Sequence, residues 1–280
     1  MARLNKTQTR AEQIARQIQM DIEAGKLRHG QALPSGRAYA KEWGTSPGTM
    51  ASALKLLEEN GLVVSRPRSG RTVNAPGQAA RPDRPPVPQV ILIGGYAGSG
   101  KTELGRIIAR STGWAMLDKD TITRAVVEAA LEMLGESPYD REGEVYLGTV
   151  RPAEYQALLD AMSENIDVGT STVVTAPFVR EFADRAWLDR TIALCQSKGA
   201  QVTVVWIRCD ADSMKTYLRH RGAARDAYKL SHWDEYLAGV DLEFTPAGEH
   251  RLVRNSAGSP PLQDQAAEIL RHVTQDISRD

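Results

Sequence analysis

The sequence predicts an α/β protein of two domains: an N-terminal winged helix-turn-helix at 1–74, then at 89–280 a domain with a parallel sheet flanked by helices. A proline-rich linker at 75–88 joins them. Three observations predict this arrangement. Gly95-Tyr96-Ala97-Gly98-Ser99-Gly100-Lys101-Thr102 fits the spacing G-x-x-x-x-G-K-[ST] and follows the apolar run Val90-Ile91-Leu92-Ile93, so a strand leads into a phosphate loop. Apolar β runs then alternate with helical stripes to the end of the chain, the pattern of a parallel sheet covered on both faces. Finally, the neutral total charge is split. Residues 1–75 hold 12 Lys and Arg against 6 Asp and Glu, leaving 23 against 29 for the rest. A basic small unit precedes an acidic larger one, which suits a polyanion partner for the first.

At 280 residues, with 41% hydrophobic and 25% charged side chains, the chain has the proportions of a packed globular protein and not of a disordered one. No apolar run approaches the roughly 18 residues of a membrane span, and the polar N-terminus has no signal-peptide core. A cytoplasmic protein with no membrane association is expected. Cys195 and Cys209 lie in apolar elements without C-x-x-C spacing and are expected to be buried thiols of a reducing compartment.

In the first domain, Ile14, Ile18 and Ile22 recur four apart with Ala11 and Ala15 beside them, which predicts an amphipathic helix over 9–24 ended by Gly25. Ser35 can cap a short helix through Ala40, and Ser46 a second through Glu59 with Ala53, Leu54 and Leu57 inward. Asn60-Gly61 stops that helix. Leu62-Val63-Val64 and the stretch from Arg66 to Val73 read as two short strands joined by a basic turn. Three helices and a hairpin make the winged helix.

The stretch 74–89 carries five of the chain's 14 prolines and almost no apolar side chain, the composition of a semi-extended spacer. Beyond it, strands are expected at Trp114–Leu117, Thr172–Thr175, Gln201–Ile207 and His250–Val253. Core-facing helical stripes are expected at Ile122, Val126, Ala129 and Met133, at Tyr155, Leu158, Leu159, Met162 and Ile166, and at Trp187, Ile192 and Cys195.

The chemistry is expected at the carboxyl edge of the sheet. There Gly95, Ala97, Gly98, Ser99 and Gly100 would turn backbone N–H groups around the phosphates of ATP, Lys101 would neutralise the β/γ charge, and the Thr102 hydroxyl would reach Mg²⁺. The second strand runs into Asp118-Lys119-Asp120. Asp120 is read as the base that accepts a proton from an acceptor hydroxyl, and Asp118 as the carboxylate holding a Mg²⁺ water or orienting the acceptor. The plainer role for Asp120 is capping the helix that follows. Arg219-His220-Arg221-Gly222-Ala223-Ala224-Arg225 reads as a lid whose Arg221 and Arg225 close over the phosphates, or as a basic helix end favoured by the helix dipole. Arg124, Arg151 and Tyr155 are candidates for holding the unidentified acceptor, although Arg151-Pro152 is equally an ordinary helix start.

Two resemblances add to this reading. Leu33-Pro34-Ser35-Gly36-Arg37, Ser46-Pro47-Gly48-Thr49, the run from Ala53 to Leu62 and Gly70-Arg71-Thr72-Val73 together resemble the GntR family of bacterial transcription regulators. The resemblance implies DNA contacts by Arg37, Ser46, Thr49, Arg66, Arg68 and Arg71, with the helix from Ser46 in the major groove. It also allows a homodimer, since half-sites are read in pairs. The family's early recognition-helix arginines are replaced here by Pro47, Ala51 and Ser52, which weakens base readout and leaves a protein-interaction module as the other reading. The phosphate loop, Asp118-Lys119-Asp120 and Arg221 to Arg225 resemble, over roughly 89–275, the small-molecule P-loop kinases that include zeta toxins, chloramphenicol phosphotransferase, adenylylsulfate kinase and gluconate kinase. In that group the second Asp of the pair serves as base. The strand Thr172–Thr175 departs from P-loop ATPases by ending without a Walker B Asp. A regulator fused to an ATP-dependent phosphotransferase is the leading expectation, and a non-catalytic ATP sensor is the alternative.

Overall fold

The computed structural model describes residues 9–24, 27–66, 70–75, 87–222 and 226–276, with residues 274–276 as backbone alone. Two compact units divide the chain, the first Met1–Arg84 in the main and the second from Pro85 onward. The linker at 75–88 lies largely outside the described residues.

In the first unit, helix α1 (Arg10–Glu23) starts on a capping box. Thr9 accepts from the Glu12 N–H and Glu12 accepts from that of Thr9. Ser35 caps α2 (Gly36–Glu42), and Ser46 caps α3 (Pro47–Glu59) with Pro47 at the first helical position, where a missing N–H costs nothing. Strands β1 (Val63–Arg66) and β2 (Gly70–Val73) pair antiparallel, and Ala32 bridges to Thr72 to add a third short segment. Ile14, Ile18, Ile22, Met50, Leu54, Leu57, Val63 and Val73 close one core between helices and wing. This is a winged helix-turn-helix.

The second unit is a five-stranded, all-parallel sheet in the order β4-β5-β3-β6-β7. Here β3 is Gln89–Gly94, β4 Ala115–Asp118, β5 Thr172–Thr175, β6 Gln201–Arg208 and β7 Arg251–Arg254. Alternation along β3 sorts its side chains. Val90 and Leu92 face α6 (Arg151–Asp167) and α8 (Arg185–Ser197), whereas Ile91 and Ile93 face α4 (Lys101–Thr112) and α12 (Leu262–Asp276). Ile91, Leu92 and Ile93 are fully buried, each worth roughly 1.5–3 kcal/mol of transfer free energy. Burial on both faces explains why the strand reads as a continuous apolar run. The connection from β3 to β4 leaves to one side and that from β5 to β6 to the other, so the carboxyl end of β3 lies at a switch point, where α/β sheets bind ligands.

One helical stripe is corrected. Helix α5 (Lys119–Met133) buries Lys119, Thr123, Val127 and Leu131, while Ile122, Val126 and Met133 are exposed, Met133 to 88%. The inward row is half polar because Lys119 and Thr123 hydrogen-bond a buried carboxylate, which apolar periodicity does not see. In α8 the buried set is Leu188, Thr191 and Cys195, with Trp187 only partly buried. Both cysteines are buried free thiols.

Candidate functional site

Gly94 ends β3, and the chain then turns through the phosphate loop into α4. Gly98, at φ +80, is fixed by close approach: a Cβ there would stand 2.7 Å from the Met214 carbonyl oxygen of α9 (Ala211–Arg221) and 2.9 Å from Leu218 Cγ. Gly100 is the N-cap of α4 and supplies no side-chain cap, so the first N–H groups of a twelve-residue helix face the loop without one. The Ser99 hydroxyl is buried and has no hydrogen-bond partner among the described residues. Asn255, following β7, donates from its side-chain amide to the Ser99 carbonyl at 3.0 Å and so ties the far edge of the sheet to the loop. Cys209 Sγ donates in turn to the Asn255 carbonyl at 3.0 Å; burial pushes that thiol up to about 12.

Lys101 Nζ donates to the Tyr96 carbonyl at 2.8 Å. Burial drives its ammonium down to about 8, a shift that the charge of Asp120 opposes, Arg221 reinforces, and Asp118 and Glu103 oppose more weakly. The lysine therefore feels three of the charged groups that the sequence assigned to the site, Asp120, Arg221 and Asp118.

Thr102 sits one turn before Gly105, where a Cβ would meet Thr175 Cγ2 at 2.8 Å, so the glycine lets α4 lie close on β5. The Thr102 hydroxyl then reaches Asp118 Oδ2 at 3.0 Å, and Thr175 Oγ1 donates to the same oxygen at 2.7 Å. Strand register explains the second contact, because Asp118 at the end of β4 is directly opposite Thr175 at the end of β5. The other oxygen of Asp118 accepts from the Thr121 N–H and hydroxyl, both at 2.9 Å. Asp118 is thus the N-cap of α5. The capping role considered for Asp120 falls two residues earlier.

Asp120 instead receives Lys119 Nζ at 3.1 Å. Lys119 is buried and also donates to Glu154 Oε1 at 2.9 Å. Glu154, likewise buried, accepts from Thr123 Oγ1 at 2.6 Å and from the Tyr146 hydroxyl at 2.7 Å. Tyr146 opens a π-helical turn, Tyr146–Val150, that runs directly into α6. Burial first, then the charge and hydrogen bond of Glu154, hold the Tyr146 phenol far above its usual range.

The acceptor candidates are placed differently from one another. Arg124 is exposed on α5, one turn beyond Asp120. Arg151 is turned inward, bonded to Glu181 at 2.8 Å and stacked 4.3 Å from the Tyr155 ring centroid. Burial would lower the Arg151 guanidinium, but the hydrogen bond and charge of Glu181 outweigh it and the net shift is upward. Tyr155 is buried, and its hydroxyl accepts from the Phe178 N–H at 3.3 Å. Phe178 has φ +50, left-handed for a non-glycine residue, and is held there by stacking on Phe182 at 4.9 Å and by Tyr155 edge-on at 5.7 Å. Such a conformation costs of order 1–3 kcal/mol and clusters at functional sites. Arg221 makes a two-point bond to the buried Asp226, at 2.8 and 2.7 Å, while Arg225 lies outside the described residues.

In the winged helix, Arg37 and Arg66 are exposed. Ser46 and Thr49 bond one another at 2.8 Å while Ser46 caps α3, and Arg71 Nε is tied to Glu58 of α3 at 2.6 Å. Arg68 lies outside the described residues. A cavity of about 500 Å³ in this unit is lined by Asp21, Leu27, Tyr39, Glu42 and Trp43. With two carboxylates and no cation in its lining, it does not suit a phosphate.

The sequence reading missed Lys119, Glu154, Thr175, Asn255 and Asp226. A signal existed for Glu154, which stands four residues before Leu158 in the buried row of α6. Lys119 starts the row that continues through Thr123, Val127 and Leu131.

A family model described as "AAA domain" matches residues 90–242, and one described as "Bacterial regulatory proteins, gntR family" matches residues 10–73. Among curated proteins, the chain is 40% identical over 80 residues to "Uncharacterized HTH-type transcriptional regulator YjiR" of Escherichia coli K12, covering 29% of this chain and 16% of that one. It is 33% identical over 105 residues to a shikimate kinase of Moorella thermoacetica, covering 36% of this chain and 58% of that one. The chain therefore spans less than two thirds of the length of the relatives it matches. Among solved structures, the APS kinase CysC of Mycobacterium tuberculosis aligns with a TM-score of 0.45 at 16% identity, over 70% of this chain and 100% of that one. No described helix is long and apolar enough to cross a membrane.

Proposed function

The chain belongs to the AAA domain family through residues 90–242, more than half its length, with a GntR-type unit before them, and on that premise we propose that it is a DNA-binding regulator whose second domain transfers the γ-phosphoryl group of ATP to a hydroxyl of a small acceptor. One observation carries the reading: Thr102 and Thr175 both aim hydroxyls at one oxygen of Asp118, while Asp120 and Arg221 bear on Lys101. The zeta toxin and chloramphenicol phosphotransferase group is the relationship we assign within the family, because its base is the second Asp of the same pair.

The residues suit Mg²⁺ and ATP. The uncapped start of α4 and the orphaned Ser99 hydroxyl provide donors to an anion. Mg²⁺ commonly rests on one or two carboxylates and substrate phosphates and not on a dedicated protein cage. Thr102 and Asp118 would hold it, and when bound it supplies charge neutralisation at the transferring phosphate. Asp120 takes the proton of the acceptor hydroxyl as that oxygen bonds to the γ-phosphorus. The bond to the β-bridging oxygen breaks, and ADP leaves. Lys101 is assigned to the charge on the phosphates, and so is Arg221, which would act from its two-point bond to Asp226. Arg124, exposed one turn from Asp120, is the residue we assign to reading the acceptor.

In the first unit, Arg37 and Arg66 are assigned to DNA phosphates and the exposed start of α3 to the major groove. Arg71, bound to Glu58, and Ser46 with Thr49 serve the fold of that surface first.

The deciding experiment measures ADP formation across a panel of hydroxyl acceptors for wild type and Asp120→Asn. A loss of 10²- to 10⁴-fold in kcat, about the contribution of a general base, with unchanged nucleotide affinity is expected. Equal turnover in the two proteins removes Asp120 as base, and no turnover above the water background with any acceptor leaves ATP sensing.

A further inference from the structure

We propose that Lys119, anchored by Glu154, is a positioning residue that fixes the carboxylate of Asp120 and ties it to the π-helical turn at Tyr146. The inference rests on the phosphotransfer reading of the preceding subsection.

Lys119 opens α5 on the buried row of that helix, with 4% of its side chain exposed. A charge in that place is expensive, and a buried ion pair is weak as a source of stability, since apolar residues of similar volume commonly do as well or better. Its arrangement points to geometry as its use. The ammonium bridges two carboxylates, Asp120 Oδ1 at 3.1 Å and Glu154 Oε1 at 2.9 Å, and lies 5.8 Å over the Tyr155 ring. Glu154 in turn cannot rotate without losing three partners. Its Oε1 also takes the Thr123 hydroxyl and its Oε2 the Tyr146 hydroxyl. Thr123 is held again by its bond to the Lys119 carbonyl at 2.7 Å. The bonds of Glu154 to Tyr146, Thr123 and Lys119 join buried groups and hold the Lys119 ammonium in place, and Lys119 carries that fixed position to the half-exposed carboxylate of Asp120.

The far end of this chain is the π-helical turn Tyr146–Val150, which is continuous with α6 and packs Tyr146 and Val150 against Val127 and Leu131 of α5. Such turns interrupt helices mostly at functional places. Any movement of that turn would be delivered to Asp120 through two side chains, Glu154 and Lys119. Asp120 is 38% exposed. Without Lys119, its Oδ1 loses the cation bonded to it at 3.1 Å.

The test compares Lys119→Met, Lys119→Arg and the neutral pair Lys119→Met with Glu154→Gln, each alone and combined with Asp120→Asn. Misplacing a catalytic group by about an ångström can cost about 100-fold. Lys119→Met is therefore expected to lower kcat by about that factor while leaving the affinity for ATP, measured by calorimetry, within twofold. Lys119→Arg should restore part of it. In the Asp120→Asn background Lys119→Met should cost nothing further, because its effect passes through Asp120. Equal losses in both backgrounds overturn the inference. Should Lys119→Met fail to fold, the neutral pair carries the same comparison, since it leaves no unpaired buried charge. A crystal structure of the variant supplies a readout independent of turnover. Asp120 in an unchanged rotamer overturns the positioning role even where phosphotransfer stands, whereas a displaced Asp120 in a protein with no turnover sustains it where phosphotransfer falls.

Discussion

Lys101 gives the most quantitative prediction. Its ammonium is lowered from 10.5 to about 8, chiefly by burial, before any phosphate is present. A bound polyphosphate favours the charged form, so the free protein must take up a proton to the extent that Lys101 is neutral. With a free-state value near 8, the neutral fraction is about 0.1 at pH 7, about 0.5 at pH 8 and about 0.9 at pH 9. ATP binding without Mg²⁺ should therefore absorb about those numbers of protons per site, and its apparent affinity should weaken about tenfold from pH 7 to pH 9. Calorimetry at each pH in two buffers of different ionisation enthalpy measures the uptake directly, and Lys101→Met should abolish the pH dependence along with most of the affinity. Uptake near zero at pH 8, or equal affinity at pH 7 and 9, refutes a buried lysine facing the phosphates. The same shift sets a trend in the unliganded protein. Between about 8 and 10.5 the unfolded chain binds more protons at this residue than the folded one, so its contribution to stability improves as pH rises through that window and is least favourable below it.

Two further outcomes test the geometry. Gly98→Ala forces a side chain to φ +80 and against the backbone of Met214, which cannot swing aside as a side-chain end would. It should cost of order 1–3 kcal/mol, read as a lower urea midpoint at unchanged slope, and an unmoved midpoint contradicts the close approach of α9. In the winged helix, Arg66→Ala should flatten the dependence of DNA affinity on salt by about one unit of slope without altering the melting temperature, as expected for an exposed phosphate contact. Arg71→Ala should lower the melting temperature because it breaks the bond to Glu58; DNA binding insensitive to salt in the wild type would leave the unit an interaction module.

What was legible in the sequence is local. The phosphate loop, the Ser35 and Ser46 caps, the strand from Val90 and the hairpin at Val63 each follow from residues within one element and its neighbours. The inward face of α5 was not legible. Apolar periodicity finds Ile122, Val126, Ala129 and Met133, but half of the buried row is Lys119 and Thr123, whose partner Glu154 is more than thirty residues further on. Distance along the chain hides Asn255 for the same reason, since only the sheet order brings the end of β7 beside the loop that follows β3. The partner of Arg151 is hidden in the same way. Its residue type and place before a helix suit an anion clamp, and the buried Glu181 bonded to it comes from a short helix beyond β5.

The absence of a Walker B acid at the end of β5 is read in the sequence as a departure from P-loop ATPases. Register changes its meaning. Asp118 and Thr175 face each other across β4 and β5, so the carboxylate stands one strand further out and the threonine hydroxyl spans the gap to it. The outer position brings a constraint that an acid on β5 would lack, because Asp118 begins α5 and commits Oδ1 to capping it. Its Oδ2 is then held toward Thr102 by the helix itself. Since Lys119 and Asp120 occupy the next two positions of that helix, the metal carboxylate, the lysine and the base assigned above share one rigid start. A shift of α5 would move all three together, and the charges of Asp120 and Asp118 both bear on Lys101.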